Sequence, residues 1–191
     1  AVALNAQWIP IRPATDSALA DAMAYVIIKE GLQDQEFLDK CCLGFDAAHM
    51  PEGADPSLNC LSYLMGETDS IPKTPEWGET ITGIPADTIR ELAIRYATTK
   101  PAAIIQGYGA QRNAYGEQSA RGVILLTCLT GNVGISGGSA AGSGDCSTHK
   151  LPKFPVPDNP YNRELPVFLW TDAVDHGKGM NEYDGIRTCD Q

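Results

Sequence analysis

Two strand–turn–helix units most constrain what this chain can fold into. The first is "WIPIRP", Trp8 to Pro13, running into "TDSALADAMAYVIIKEG". There Thr15 and Asp16 are helix-start residues, and Ala18, Leu19, Ala22, Met23, Val26 and Ile27 recur at helical spacing until Gly31 ends the pattern. The second is "PAAIIQGYG", an apolar stretch read as a buried strand ending at glycine, followed by a helix from about Gly116 to Thr130. Units of this kind build parallel sheets with helices on both faces, and such a sheet needs more strands than these. One further strand is legible, "VFLW" at Val167 to Trp170. The expected fold is α/β, a helix-rich and incomplete parallel sheet that is a fragment of a larger multidomain protein.

The helices between the two units carry local signals. "DQEFLDKCCLGF" forms a second short helix, and Ala47 to Lys73 reads as an irregular connection with one turn at "LSYLMGE". Thr74 is placed to cap a helix with Pro75 at its first position, and Pro85 suits the first position of the next. In that helix Ile89, Leu92, Ala93 and Tyr96 make one apolar face. "GNVGISGGSAAGSGDCS" reads as a loop and "KLPKFPVPDNPYNRELP" as a proline-rich extended segment. The expected division is a ligand-binding α/β part over residues 1–145 and a Pro/Gly-rich extended segment over 146–191 that leads to missing strands.

The bulk properties exclude several functions. With 43% hydrophobic and 20% charged residues, 191 residues suffice for a core. A formal charge of −10 without a basic stripe argues against nucleic acid as a partner. No apolar run approaches the roughly 20 residues that span a bilayer, and "AVALNAQWIPIRP" lacks the basic start of a signal peptide. Cys41, Cys42, Cys60, Cys128, Cys146 and Cys189 form neither a C-x-x-C pair nor a disulfide framework, so they read as ordinary thiols. "CSTH", Cys146 to His149, lacks the further ligands of a metal site. His49, His149 and His176 are scattered in expected loops, and no nucleophile elbow is present, so no catalytic residue and no metal ligand is assigned.

Two places can bind a ligand, because open α/β sheets bind beyond the carboxyl ends of their strands, where helix N-termini present unpaired N–H groups. Asp16 follows a strand and opens a helix, so its carboxylate either caps that helix or reaches a ligand. In "QGYGAQRNAYG", Gly107 and Gly109 remove side chains, while Tyr108 offers a ring and Arg112 a guanidinium fork. The alternative is a glycine-rich strand end with Arg112 in a surface salt bridge. No G-x-G-x-x-G or P-loop is present, so this is not a familiar nucleotide loop.

Taken together, "WIPIRPATDSALADAMAYVIIKEGLQDQEFLDKCCLGFD", "YLMGETDSIPKTPEWGETITGIPADTIRELA", "GYGAQRNAYGEQSARGVILLTCLTGNVGISGG" and "LPVFLWTDAVDHGKGM" resemble the molybdopterin oxidoreductases. The last motif and the whole-chain texture resemble the catalytic subunits of the dimethyl sulfoxide reductase branch. The resemblance implies part of a Rossmann-like domain that grips one half of a molybdenum bis(molybdopterin guanine dinucleotide). It implies that Ala14, Thr15 and Asp16 contact the guanine end, with Gly107, Tyr108, Gln111 and Arg112 near the pterin and the floor of a substrate funnel. Where this chain has Tyr108, tryptophan is common in the branch, which alters the expected pocket. The parent enzyme is expected to reduce dimethyl sulfoxide or related S- and N-oxides in anaerobic respiration, and the fragment alone is expected to be inactive and to bind no cofactor.

The resemblance further implies an iron–sulfur cluster and a molybdenum ligand upstream, an iron–sulfur electron-transfer partner and a membrane anchor subunit. The expected location is the membrane, through that anchor, on the periplasmic or outer face. Two other readings stand beside this one. One is a different molybdopterin enzyme acting on nitrate, selenate, tetrathionate or formate, and the other is a non-catalytic nucleotide-binding α/β module.

Overall fold

Small apolar residues make the first helix the centre of the fold. In the computed structural model, which describes residues 6–141, 163–165, 167–180 and 187–188, α1 spans Asp16–Lys29. It buries Ala18, Ala20, Ala22, Met23, Ala24, Val26 and Ile27, so more than one face is covered. Its neighbours are α3 (Cys60–Met65), α4 (Pro75–Thr82), α5 (Ala86–Thr98) and α7 (Glu117–Leu129). The alanines keep α1 thin and let neighbours approach at glycine. A Cβ on Gly78 of α4 would lie 2.7 Å from that of Ala22. Around this centre Ile27, Leu64, Ile84, Ile89 and Leu129 are sealed from solvent, each contributing about 2 kcal/mol by leaving water.

Local chemistry starts these helices where the sequence suggests, with instructive shifts. Thr74 Oγ1 accepts from Trp77 N at 3.2 Å, with Pro75 at the first helical position. Asp34 accepts from Phe37 N at 3.1 Å and starts α2 (Gln35–Cys41). Pro85 stands one place earlier than expected, as the residue before α5. The expected single turn at "LSYLMGE" is the helix α3, because Asn59 accepts from Ser62 N at 2.8 Å and Gly66 closes it in the left-handed conformation.

The sheet is where expectation and structure part. β1 (Ala103–Ile105) and β2 (Ser139–Ala141) pair in parallel, with Ala103 opposite Ser139 and Ile105 opposite Ala141. Among the described residues of this unit the sheet has these two strands alone, and the unit is helix-rich. β1 is not buried as expected, since Ile105 is 78% exposed. β2 lies in the stretch read as a loop, where serine and alanine give no strand signal. "WIPIRP" runs without a ladder, because Pro10 and Pro13 have no N–H to donate, and Arg12 N instead bonds Thr82 O at 3.0 Å.

The chain divides into two compact units, residues 1–146 and 147–191. In the second, β3 (Arg163–Glu164) pairs antiparallel with β4 (Arg187–Thr188). "VFLW" is not a strand: Val167–Leu169 is a 3-10 turn, and Trp170–His176 continues as the helix α8. Four apolar residues in a row carry no period, and the following Thr171 and Asp172 favour a helix start. Cys146, His149, Cys189 and most of the proline-rich segment lie outside the described residues. No described helix is long and apolar enough to cross a membrane.

Candidate functional site

The start of α1 is held by the segment before it. The Arg12 guanidinium donates to Thr80 O at 2.7 Å and Ile81 O at 3.1 Å, tying residues 12–16 to the end of α4. Ala14 takes a left-handed φ of 65°, turning the chain into the helix. Thr15 is the residue before α1, but its hydroxyl donates to Arg12 O at 2.7 Å instead of accepting from a helix N–H. Capping therefore does not account for Thr15, and among the described residues the N-terminus of α1 has no side-chain cap from its N-cap residue. Among the described residues Asp16 makes no side-chain hydrogen bond.

The second candidate segment is positioned through Asn132, which is fully buried after the end of α7. Its Oδ1 accepts from Ala102 N at 3.1 Å and its Nδ2 donates to Thr130 Oγ1 at 2.8 Å, so the foot of β1 is fixed to α7. Beyond β1, the expected glycine turn begins at Gly107 and winds into a four-residue helix, α6 (Tyr108–Gln111). Asn113 Nδ2 donates back to Gly109 O at 3.2 Å. At Gly116 a Cβ would come 2.3 Å from Gln111 O, so the return toward α7 requires glycine there.

These two segments meet. One cleft of about 650 Å³ is lined by Asp16 and Met23 of α1, Tyr96 of α5, and Gln106, Gly107 and Gly109 beyond β1. Neither Gly107 nor Gly109 has a left-handed φ, and a Cβ on either would meet no atom within 4 Å. Their lack of a side chain is thus not demanded by the described protein, and it leaves backbone open to the cleft. Tyr96 OH and Gln106 Nε2 are buried without a hydrogen-bond partner among the described residues. Both residues line the cleft, and such atoms cost free energy unless something completes them. Sequence reading missed this pair, because burial without a partner leaves no trace in a pattern.

Gln111 and Arg112 are exposed and do not line the cleft, and the side chain of Tyr108 is outside what is described. Asp39, Asp46 and His49 form one group with metal-ligand atoms within 4.8 Å of one another. Helix capping explains its centre, since Asp46 Oδ1 accepts from Ala48 N, His49 N and His49 Nδ1. Farther along α1, burial pushes the Asp21 carboxyl up to about 6, against the opposing hydrogen bond from Tyr63 and the nearby charge of Lys73. Asp21 does not line the cleft.

The chain is similar to known proteins over almost its whole length. It is 46% identical over 187 residues to a putative dimethyl sulfoxide reductase chain, YnfE, of Escherichia coli K12, covering 97% of this chain and 23% of that protein. To dimethyl sulfoxide reductase DmsA of the same organism it is 44% identical, with the same 97% and 23% coverage. It therefore spans about 23% of the length of these relatives. Among solved structures, acetylene hydratase from Pelobacter acetylenicus superposes with a TM-score of 0.53 at 27% identity, over 68% of this chain and 15% of that one. The sequence profile of the molybdopterin oxidoreductases matches residues 2–184, and the chain belongs to that family, which implies a molybdenum–pterin cofactor.

Proposed function

We propose that this chain is a cofactor-gripping segment of a molybdenum-dependent enzyme that reduces dimethyl sulfoxide or related S- and N-oxides. The observation that carries the reading is the cleft shared by Asp16 and the Gly107–Gly109 backbone. Its chemistry fits a pterin guanine dinucleotide: an uncapped helix start, exposed glycine backbone, and two buried polar atoms awaiting partners. Ala14, Thr15 and Asp16 hold the guanine end, where the Asp16 carboxylate accepts two hydrogen bonds from guanine N–H groups. Gly107 and Gly109 let backbone approach the pterin. Tyr108, Gln111 and Arg112 face the cofactor and the substrate funnel once the remaining polypeptide is in place.

When bound, the bis(molybdopterin guanine dinucleotide) supplies the two-electron chemistry by which the oxide loses its oxygen as water. This chain contributes binding and orientation, with no catalytic residue of its own. In this reading β1 and β2 are the start of a Rossmann-like sheet that the rest of the protein completes, within a cofactor domain over residues 1–145. Residues 146–191 lead to its further strands. An iron–sulfur cluster lies elsewhere in the polypeptide, an iron–sulfur subunit delivers electrons, and an anchor subunit holds the complex at the periplasmic or outer membrane face. The choice of oxide chemistry over that of other molybdopterin enzymes rests on the relatives at 44% and 46% identity, since acetylene hydratase is a likeness of fold at 27%.

The test is Asp16→Ala in the full-length protein. Loss of a charge-assisted pair worth about 2–3 kcal/mol weakens retention roughly 30- to 150-fold, so molybdenum and guanine per chain both fall. Unchanged contents of both would overturn the guanine-end assignment. Arg112→Ala, by contrast, depresses turnover more than cofactor content.

A further inference from the structure

Gln106 and Tyr96 reach the cleft from two elements: Gln106 directly follows β1, and Tyr96 is near the end of α5. The Gln106 amide nitrogen and the Tyr96 hydroxyl are buried there without a hydrogen-bond partner among the described residues. The walls between them are apolar, with Leu19, Met23, Leu92, Ile104 and Val123 among the lining residues. Asp16 supplies the one charged side chain of the lining, and no described lysine, arginine or histidine joins it. A phosphate seated against these walls would face a carboxylate and no counter-charge. A flat neutral ring suits them, because its faces pack on apolar side chains while a few polar groups fix its edges. The polar groups are also sorted by kind: the Asp16 carboxylate only accepts, the Gln106 amide nitrogen only donates, and the Tyr96 hydroxyl can donate.

We infer, resting on the cofactor-binding reading of this cleft, that Gln106 and Tyr96 are the donors that recognise a neutral amino-oxo-pyrimidine ring of the ligand. The phosphates of the dinucleotide then lie outside this part of the cleft. Such a ring carries N–H groups on one edge and a carbonyl oxygen or ring nitrogen on another, which matches an acceptor at Asp16 and donors at Gln106 and Tyr96. Guanine and pterin both contain it. Gln106 is therefore a specificity-determining residue, since its amide nitrogen is satisfied by a ring carbonyl and left unpaired by a ring that lacks one.

The experiment compares Gln106→Leu, Gln106→Glu and Gln106→Lys with wild type in the full-length protein, counting molybdenum and guanine per chain after a fixed dialysis. Gln106→Leu should weaken retention roughly tenfold, the equivalent of one hydrogen bond. Gln106→Glu should weaken it further by setting a carboxylate against the ring carbonyl. Gln106→Lys should not restore it, because a neutral carbonyl does not offset burial of an ammonium. Cofactor-free Gln106→Leu protein should melt no lower than cofactor-free wild type, since the amide has no partner to lose. Guanosine monophosphate added to the cofactor-free protein separates the two rings. Weaker binding in Gln106→Leu places guanine at Gln106, and unchanged binding beside weakened retention places the pterin there. Retention raised by Gln106→Lys would reveal a phosphate partner, and retention raised by Gln106→Glu an N–H partner; either overturns the inference. It also falls if all three variants retain the cofactor fully, or if cofactor-free Gln106→Leu melts lower, which would assign the amide to contacts within the protein. Failure of the cofactor reading itself looks different, because the wild type then carries neither molybdenum nor guanine and both proposals fall together.

Discussion

Ala20 of α1 and Gly122 of α7 lie so close that a Cβ built on the glycine would sit 2.7 Å from the alanine Cβ. Neither atom is the tip of a flexible side chain, so the helices themselves must part to admit a methyl group. Gly122→Ala sets two effects against each other. Helix propensity favours alanine by about 1 kcal/mol, while overpacking costs about 1–3 kcal/mol. The contact should win, giving a net loss of up to about 2 kcal/mol, read as faster hydrogen exchange of the α1 amides in the full-length protein. Ala20→Gly in the same molecule should recover part of that loss. A double variant whose cost equals the sum of the two singles would mean that the helices do not touch there.

Asp21 gives a pH dependence with a definite sign. Its carboxyl ordinarily titrates near 3.8 and is raised to about 6 by burial, outweighing the Tyr63 hydrogen bond and Lys73. The folded chain therefore holds a proton that the unfolded chain has released. This stabilisation is fully present below about 3.8 and is lost as pH rises through about 6. Asp21→Asn keeps a neutral acceptor for the Tyr63 hydroxyl, which lies 3.3 Å away. The variant should melt higher than the wild type at pH 8, by on the order of 1–2 kcal/mol, with the gap shrinking toward pH 4. A gap that is constant with pH would rule out the buried carboxyl as its cause.

Lys73 is the one described lysine sealed from solvent, with 2% of its surface exposed. Its ammonium donates to Asp69 and to the Ile71 carbonyl, and lies 4.3 Å from the centre of the Tyr63 ring and 5.6 Å from that of Trp77. Lys73→Ala removes the packed stem and leaves the Ile71 carbonyl without this donor, at a cost of about 2–4 kcal/mol. Denaturant melts should show that loss. Lys73→Met should recover about half, because it restores the stem but not the charge. If methionine equals lysine, the ammonium contributes nothing net.

The helices were legible because their signals are local: Thr74 before Pro75, or Ile89 and Ala93 one turn apart. The sheet was not, because the Ser139–Ala141 strand is made of small residues whose pairing with β1 is set by tertiary contact. Exposed Ile105 shows the same limit, since an apolar run announces a strand but not what covers it. Asp16 and Gly107 were legible as candidates from the rule that ligands bind beyond strand ends, although they are distant in sequence. Their convergence on one cleft became visible only through the packing of α1, α5 and α7 around β1.

Tyr96 allows a test of the cleft that does not depend on turnover. Its hydroxyl is buried and has no partner among the described residues, so without cofactor it is a desolvated group that gains nothing. Tyr96→Phe keeps the ring against α5's apolar neighbours and removes that penalty, so the cofactor-free protein should be equally stable or more stable by about 1 kcal/mol. In the cofactor-loaded protein the same change deletes a hydrogen bond that the ligand completes, so the stabilisation on loading should shrink by about 1 kcal/mol. The comparison is the shift in melting midpoint between cofactor-free and cofactor-loaded protein, wild type against variant. Opposite movements in the two states identify the hydroxyl as a ligand-facing donor. A phenylalanine variant that is destabilised equally in both would instead assign Tyr96 OH to contacts within the protein.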